Sequence, residues 1–447
     1  MMMALGFACV GFGQTLAAGE GNDMESRLQE LEREVQEWRT QAQAGEMDKD
    51  NSSTRYDGSF MSRLHKNNES FEFNLESLIQ ARFQIDDVND SAGSYVKEED
   101  SAGFRLARVY TSMSGHVYNP AFTYNLVASW NNENLSDMLK VATFGYRPSD
   151  SLGFYIGRDK MPFNMQESTD ASQLQFMERS AANEAFNMDY GHGGWLAGSP
   201  TLGDSSMMLR YALGVFNGNY NNLSQSDTNA NPNNEDFAWT YAGRVEFLPM
   251  GGSGSITESE SDLRSEEDKT SLLVMVGLGV NYGKDRGSNR VLGQSGIASP
   301  FEADIFNLAY DLRVHAYGAS LNAGVFGRWV RFDDASDETA THPGHLEDFG
   351  WYAQLGYNVN IDDAQLEGVV RISSIDYDEF QDGAAGTATG SDAMGDDLFE
   401  VTGGLNLRVA GDDLRFGLEA TYRSAEEADN FNTIPSWTFR LGVQIRF

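Results

Sequence analysis

The 447-residue chain sets 32 lysines and arginines against 67 aspartates and glutamates, a net charge of −35. So acidic a balance argues against nucleic acid as a partner, because a phosphate backbone is bound by clustered cations. Beyond the first twenty positions no run of about 18 apolar residues offers a transmembrane helix.

Residues 1–19 read as a signal peptide. Met1 to Ala18 is apolar and rich in small residues, and Leu16-Ala17-Ala18-Gly19 resembles a cleavage region, although the usual basic start is missing. Cys9 is the single cysteine and lies in that leader, so the exported chain is expected to hold no disulfide. Met24, Leu28, Leu31, Val35 and Trp38 then recur at heptad spacing. They mark a short coiled-coil helix over 20–45, which either oligomerises the protein or lies against the mouth of the larger domain after it. Residues 46–69 are polar and read as a linker.

From residue 70 onward the pattern changes to period two. Trp437, Phe439, Leu441, Val443, Ile445 and Phe447 alternate with Thr438, Arg440, Gly442, Gln444 and Arg446. Successive side chains of a strand point to opposite faces, so one wall is apolar and the other polar. The alternation recurs. Leu414, Phe416, Leu418 and Tyr422 oppose Arg415, Glu419, Thr421 and Arg423, and Phe73, Leu75, Ile79 and Phe83 oppose Asn74, Glu76, Gln80 and Arg82. Sixteen strands are placed in this way, at 71–85, 104–117, 121–130, 138–147, 152–160, 188–197, 206–217, 238–247, 270–283, 302–314, 317–332, 349–360, 364–376, 397–409, 413–424 and 436–447.

The links alternate in length. Tight ones fall near Asn119-Pro120, Pro148-Ser149-Asp150, Ile361-Asp362-Asp363 and Gly411-Asp412, and long polar ones lie between them. Together these features indicate an all-β transmembrane antiparallel barrel of about 16 strands, preceded by the short coiled-coil helix. One link breaks the rule: 248–269 falls on the short-turn side yet is long, which implies either a misplaced strand or an insertion.

Gly157-Arg158-Asp159-Lys160-Met161-Pro162-Phe163 closes the fifth strand, Glu178-Arg179-Ser180 comes next, and Val215-Phe216-Asn217-Gly218 ends the seventh. This order resembles the phosphate-selective porin family (the O and P type) of Gram-negative outer membranes. The resemblance covers about residues 70–447. It implies a water-filled, trimeric channel of sixteen strands whose third external loop, here 161–187, folds inward. Lys160, Glu167, Asp170, Glu178 and Arg179 are then expected at a constriction, with Gln173–Arg179 read as a short helix.

By parity, Arg82, Arg108, Arg328, Arg371, Arg408, Arg415 and Arg440 lie on the polar, pore-lining wall. Forked guanidinium donors suit phosphate or carboxylate solutes. The alternative is that they pair with Glu72, Glu76, Glu367, Glu400 and Glu419 on the same wall and hold the lumen together. The acidic excess sits in loops, where it concentrates cations and opposes a phosphate channel. No serine or histidine is arranged as a nucleophile with its base, and His342-Pro343-Gly344-His345 is too sparse for a metal site. No enzyme activity, metal or cofactor is therefore assigned. The expected function is an outer-membrane porin for passive diffusion of small hydrophilic solutes or ions, among lipid and as a homotrimer. The alternative is a structural or adhesion barrel tethered through its periplasmic helix.

Overall fold

The structure, a computed structural model, describes residues 66–68, 71–88, 101–131, 138–202, 207–217, 239–250, 258–264, 268–286, 302–332, 345–362, 364–377, 397–427 and 432–447. The expected signal peptide, coiled-coil helix and most of the linker lie outside these residues. The barrel belongs to the compact unit Tyr56–Phe447.

Sixteen antiparallel strands form it: β1 (Phe71–Val88), β2 (Ser101–Val117), β3 (Phe122–Ser129), β4 (Leu139–Ser149), β5 (Leu152–Lys160), β6 (Tyr190–Gly198), β7 (Met208–Asn217), β8 (Trp239–Met250), β9 (Leu273–Arg286), β10 (Glu302–Ala316), β11 (Ala319–Phe332), β12 (His345–Ile361), β13 (Ala364–Asp376), β14 (Leu398–Ala410), β15 (Leu414–Glu427) and β16 (Asn432–Arg446). Each pairs with the next, and β16 returns to β1 with Leu441 opposite Phe83 and Arg440 opposite Gln84. Phe447 completes the seam. Its N–H donates to Ser77 O at 2.9 Å, and its carbonyl accepts from the Ser77 N–H at 2.6 Å. A further three-residue strand, Lys66–Asn68, pairs with the start of β1, and among the described residues each of the sixteen barrel strands has a neighbour on both sides, as a hydrocarbon surround demands.

All sixteen strands stand within a few residues of their expected places. β12 reaches back to His345, because its pairing with β11 continues to Arg331 opposite His345. The link between β10 and β11 is Tyr317-Gly318, both at positive φ (54° and 79°). Such a two-residue turn matches the twist of a hairpin, and glycine takes its left-handed second position without strain.

The faces are inverted relative to a water-soluble protein. On β15, Phe416 and Leu418 are exposed at 44% and 53%, while Arg415 and Glu419 on the other face are each 4% exposed. The outer face meets lipid. The inner face is polar near mid-barrel, but one apolar cluster also lies inside, where Ile305, Ala309, Phe326, Val330, Tyr352 and Ile375 of the wall pack on Phe163, Phe186 and Met188. Phe186 stacks on Phe326 at 5.6 Å, and Phe326 on Tyr352 at 6.2 Å.

A charge on the outer face is therefore expected to be costly. Leu418→Arg should destabilise the folded barrel by about 2–4 kcal/mol if it lies near the bilayer midplane. Urea titration in lipid vesicles reads this, and an unchanged midpoint would place Leu418 away from lipid.

Candidate functional site

Residues 161–189 join β5 to β6 and run inside the barrel. Three polar caps shape them. Helix α1 (Met165–Ser168) begins at Asn164, whose side-chain oxygen accepts from the Glu167 N–H at 2.7 Å. A 3₁₀ turn at Ala171–Gln173 begins at Asp170, whose carboxylate accepts from the Ser172 N–H at 2.8 Å. Helix α2 (Ala181–Phe186) begins at Ser180, whose Oγ accepts from the Asn183 N–H at 3.1 Å. Each cap satisfies an amide that the helix start leaves free.

The span between them is not helical, which corrects the expectation of a helix at Gln173–Arg179. The reason lies in the wall. Leu174 O accepts from Arg415, Gln175 O from Asn406 at 2.8 Å and Met177 O from Arg108 at 2.7 Å. Arg371 donates to Glu178 O at 2.9 Å and to Arg179 O at 3.1 Å. A helix would have consumed several of these carbonyls internally. Extended, they meet wall donors that also engage side chains such as Gln444, Glu367 and Glu400. Wall glycines let the loop come close. A Cβ on Gly350 would stand 2.6 Å from the Phe186 ring, and one on Gly279 would collide with Phe163 O.

Every arginine of the expected ladder faces inward, and each is engaged. Arg82 and Arg108 both pair with Glu178, Arg108 at 2.7 Å. Arg328 donates to Asp348 at 2.6 Å and to Ala185 O at 3.1 Å. Arg371 pairs with Glu400 at 3.3 Å. Arg408, fully buried, meets Glu367 at 2.7 Å and Asp412 at 3.1 Å. Arg415 also donates to Gln444 at 3.1 Å, and Arg440 to Gln84 at 3.2 Å. Of the loop residues, Glu167 pairs with Arg179 at 3.1 Å and with Lys160 at 3.4 Å, while Asp170 serves as a cap. Arg179 also donates to Gln166 O at 3.0 Å and Thr169 O at 3.1 Å. Burial works to raise both loop carboxylates. Arg179 and Lys160 outweigh it at Glu167, holding it below the usual range, and Arg108 and Arg82 hold Glu178 at about 2.

Two cations were not foreseen. Lys140 and Arg158 join Lys160 around the ring of Tyr190, at 5.7, 6.0 and 6.0 Å. Neither Lys140 nor Arg158 forms an ion pair among the described residues, and the buried Arg158 Nε has no hydrogen-bond partner there. Simple parity misses Lys140 because the β3–β4 register slips. Val127 faces Val141 while Ala128 faces Leu139, so Lys140 is skipped.

The anomalous long link is an insertion. Within it, residues 258–264 also enter the lumen: Glu260 is 1% exposed, and its N–H donates to Gln173 O of the inward loop at 3.0 Å.

A sequence profile of the phosphate-selective porin O and P family matches residues 78–395. The chain belongs to that family. It is an outer-membrane porin, a passive-diffusion channel of the Gram-negative outer membrane. Two solved structures share its fold. OmpT of Vibrio cholerae (in-vitro folded) is 12% identical over 86% of this chain and 100% of its own, with a TM-score of 0.50. OprB of Pseudomonas putida is 10% identical over 85% of this chain and 94% of its own, with a TM-score of 0.51. No curated protein sequence matches the porin.

The Glu178 pairs give an acid test. A carboxylate whose folded value lies below its unfolded one stabilises fully above the unfolded value and loses that as pH falls through the folded one. Here the window runs from the ordinary 4.5 down to about 2. Single-channel conductance should hold down to about pH 4 and change as pH nears about 2, and Glu178→Gln should remove that step. A step already at neutral pH would assign control to another group.

Proposed function

We propose that the porin prefers small anions and takes no catalytic part in their passage. The carrying observation is the charge pairing at the inward loop. Glu167 and Glu178 each meet two cations, and Lys140 and Arg158, which share the Tyr190 ring with Lys160, have no ion pair among the described residues. Carboxylates held by two cations are poor repellents of anions, whereas an unpaired guanidinium or ammonium attracts them. Apart from Lys160 at the end of β5, which donates to Glu167 O at 2.6 Å, the loop's hydrogen-bond partners on the wall lie on β1, β2, β8 and β10–β16. β7 packs on the loop through Phe216 and Met208, so the proposed solute path runs between the loop and the wall from β3 to β6. Family membership supports phosphate as one such anion.

β3 to β7 are the short strands, 8 to 11 residues each, against 13 to 17 in β9–β16. A low wall on one side fits the family's trimer, with neighbouring copies against it. A second reading has its own support. The inward loop and residues 258–264 both fill the lumen, as a closed structural barrel would require.

Planar-bilayer recording under a KCl gradient decides among these. Stable steps with a zero-current potential of the anion-selective sign are expected. The double variant Lys140→Gln, Arg158→Gln should move that potential toward zero. A cation-selective sign would overturn the anion preference, and folded protein without steps would favour the structural barrel.

A further inference from the structure

We infer that the segment Glu258–Arg264, inserted between β8 and β9, is a second constriction element of the pore, and that Glu260 is the residue through which it positions the inward loop. The inference rests on the channel reading and is independent of ion preference.

The segment is built for the lumen. It carries Ser259, Glu260, Ser261, Asp262 and Arg264, all 6% exposed or less. A polar peptide of this kind is expensive to bury unless every group is answered. Here the wall answers. Arg313 donates to Glu258 O at 2.9 Å, and Arg408 to Ser261 Oγ at 2.7 Å. Asp262 accepts from the Gly318 N–H at 3.1 Å, and Asp262 O from Asn358 at 3.3 Å. Its anchors therefore span β10 to β14, so the segment crosses a wide arc of the barrel rather than hugging its own hairpin.

Glu260 is where this segment meets the loop. Its carboxylate forms no ion pair among the described residues. It accepts from Gln166 Nε2 at 3.1 Å, from the Gln175 N–H at 2.8 Å and from Gln354 Nε2 at 2.8 Å. Glu260 O accepts from Asn322 at 2.8 Å and from His315 at 3.2 Å. The contacts continue outward. Gln166 Oε1 accepts both the Ser180 N–H at 3.0 Å and the Ser180 hydroxyl at 2.7 Å, and Ser180 caps α2. One side chain from the periplasmic turn is thus linked through Gln166 to the start of the loop's outer helix. Gln175, the other loop partner, reaches Glu367 at 2.6 Å and Ser320 at 2.8 Å. Without the Glu260 carboxylate, the Gln166 side-chain amide and the Gln175 N–H lose this acceptor together, Gln354 is left with Gln175 Oε1 alone at 2.7 Å, and the loop gains freedom inside the lumen.

The test is single-channel recording on three variants of the full-length protein, each first shown to fold by heat-modifiable mobility. In one, residues 251–272 are exchanged for a short Gly-Ser turn. The others are Glu260→Ala and Glu260→Gln. The shortened turn should raise conductance about two-fold or more, since pore width sets it. Glu260→Ala should raise conductance and open-channel noise. Glu260→Gln keeps one acceptor oxygen and should fall between Glu260→Ala and wild type. A merely structural role would lower the folded yield and leave the conductance of folded channels unchanged. If the shortened-turn protein folds and conducts like wild type, the inference is wrong. That holds even if Glu260→Ala fails to fold.

Discussion

A peptide that enters the lumen of a barrel must find a partner for each of its own amides and carbonyls, and the rest of this structure depends on how that demand is met. The barrel's strands have spent their backbone groups on one another. Only inward side chains remain to serve the loop. Arg415, Asn406, Arg108 and Arg371 donate to successive loop carbonyls, while Ser373 and Glu419 accept loop N–H groups. Much of the arginine ladder is thus the scaffold that fixes the inward loop. This changes how its charge acts. A guanidinium that donates to loop carbonyls and carboxylates still contributes to the potential of the lumen, but few of its N–H groups are left for a solute.

The same demand explains the distribution of apolar residues. Outside, leucines and aromatics face lipid all round. Inside, α2 and its flanks are also held by packing: Phe186 stacks on Phe326, which stacks in turn on Tyr352, with Arg328 over the Phe186 ring at 5.1 Å. The loop is anchored to the wall at one end by packing and through its middle by hydrogen bonds. Residues 258–264 of the β8–β9 link support it as well, through Glu260.

The strands were legible because alternation has period two and the barrel keeps it over most of each strand, apart from a few bulges. Leu405, Leu407, Leu418 and Leu441 all point outward as their parity requires. The inward loop was legible from its length, its charges and the motif around Gly157-Arg158-Asp159. Its conformation was not. Gln173–Arg179 lacks proline or glycine, so local propensity allows a helix, and only distant donors such as Arg415 and Arg371 draw it out. Lys140 was hidden by a register slip that parity cannot see. The long link before β9 was visible as an anomaly, but its serines and acids read equally as a solvated turn. Nothing within that stretch announces that Gln354, Asn322 and Arg408, all more than fifty residues away, converge on it.

Hydrogen exchange of the loop amides bears most directly on whether wall side chains hold this peptide inside the barrel. Measured on the folded protein in lipid, the Gln175 and Met177 amides, which donate to Glu260 and Glu419, should exchange as slowly as those of the flanking strands. Exchange at the rate of a free surface loop would contradict the arrangement and return the arginines to the open pore.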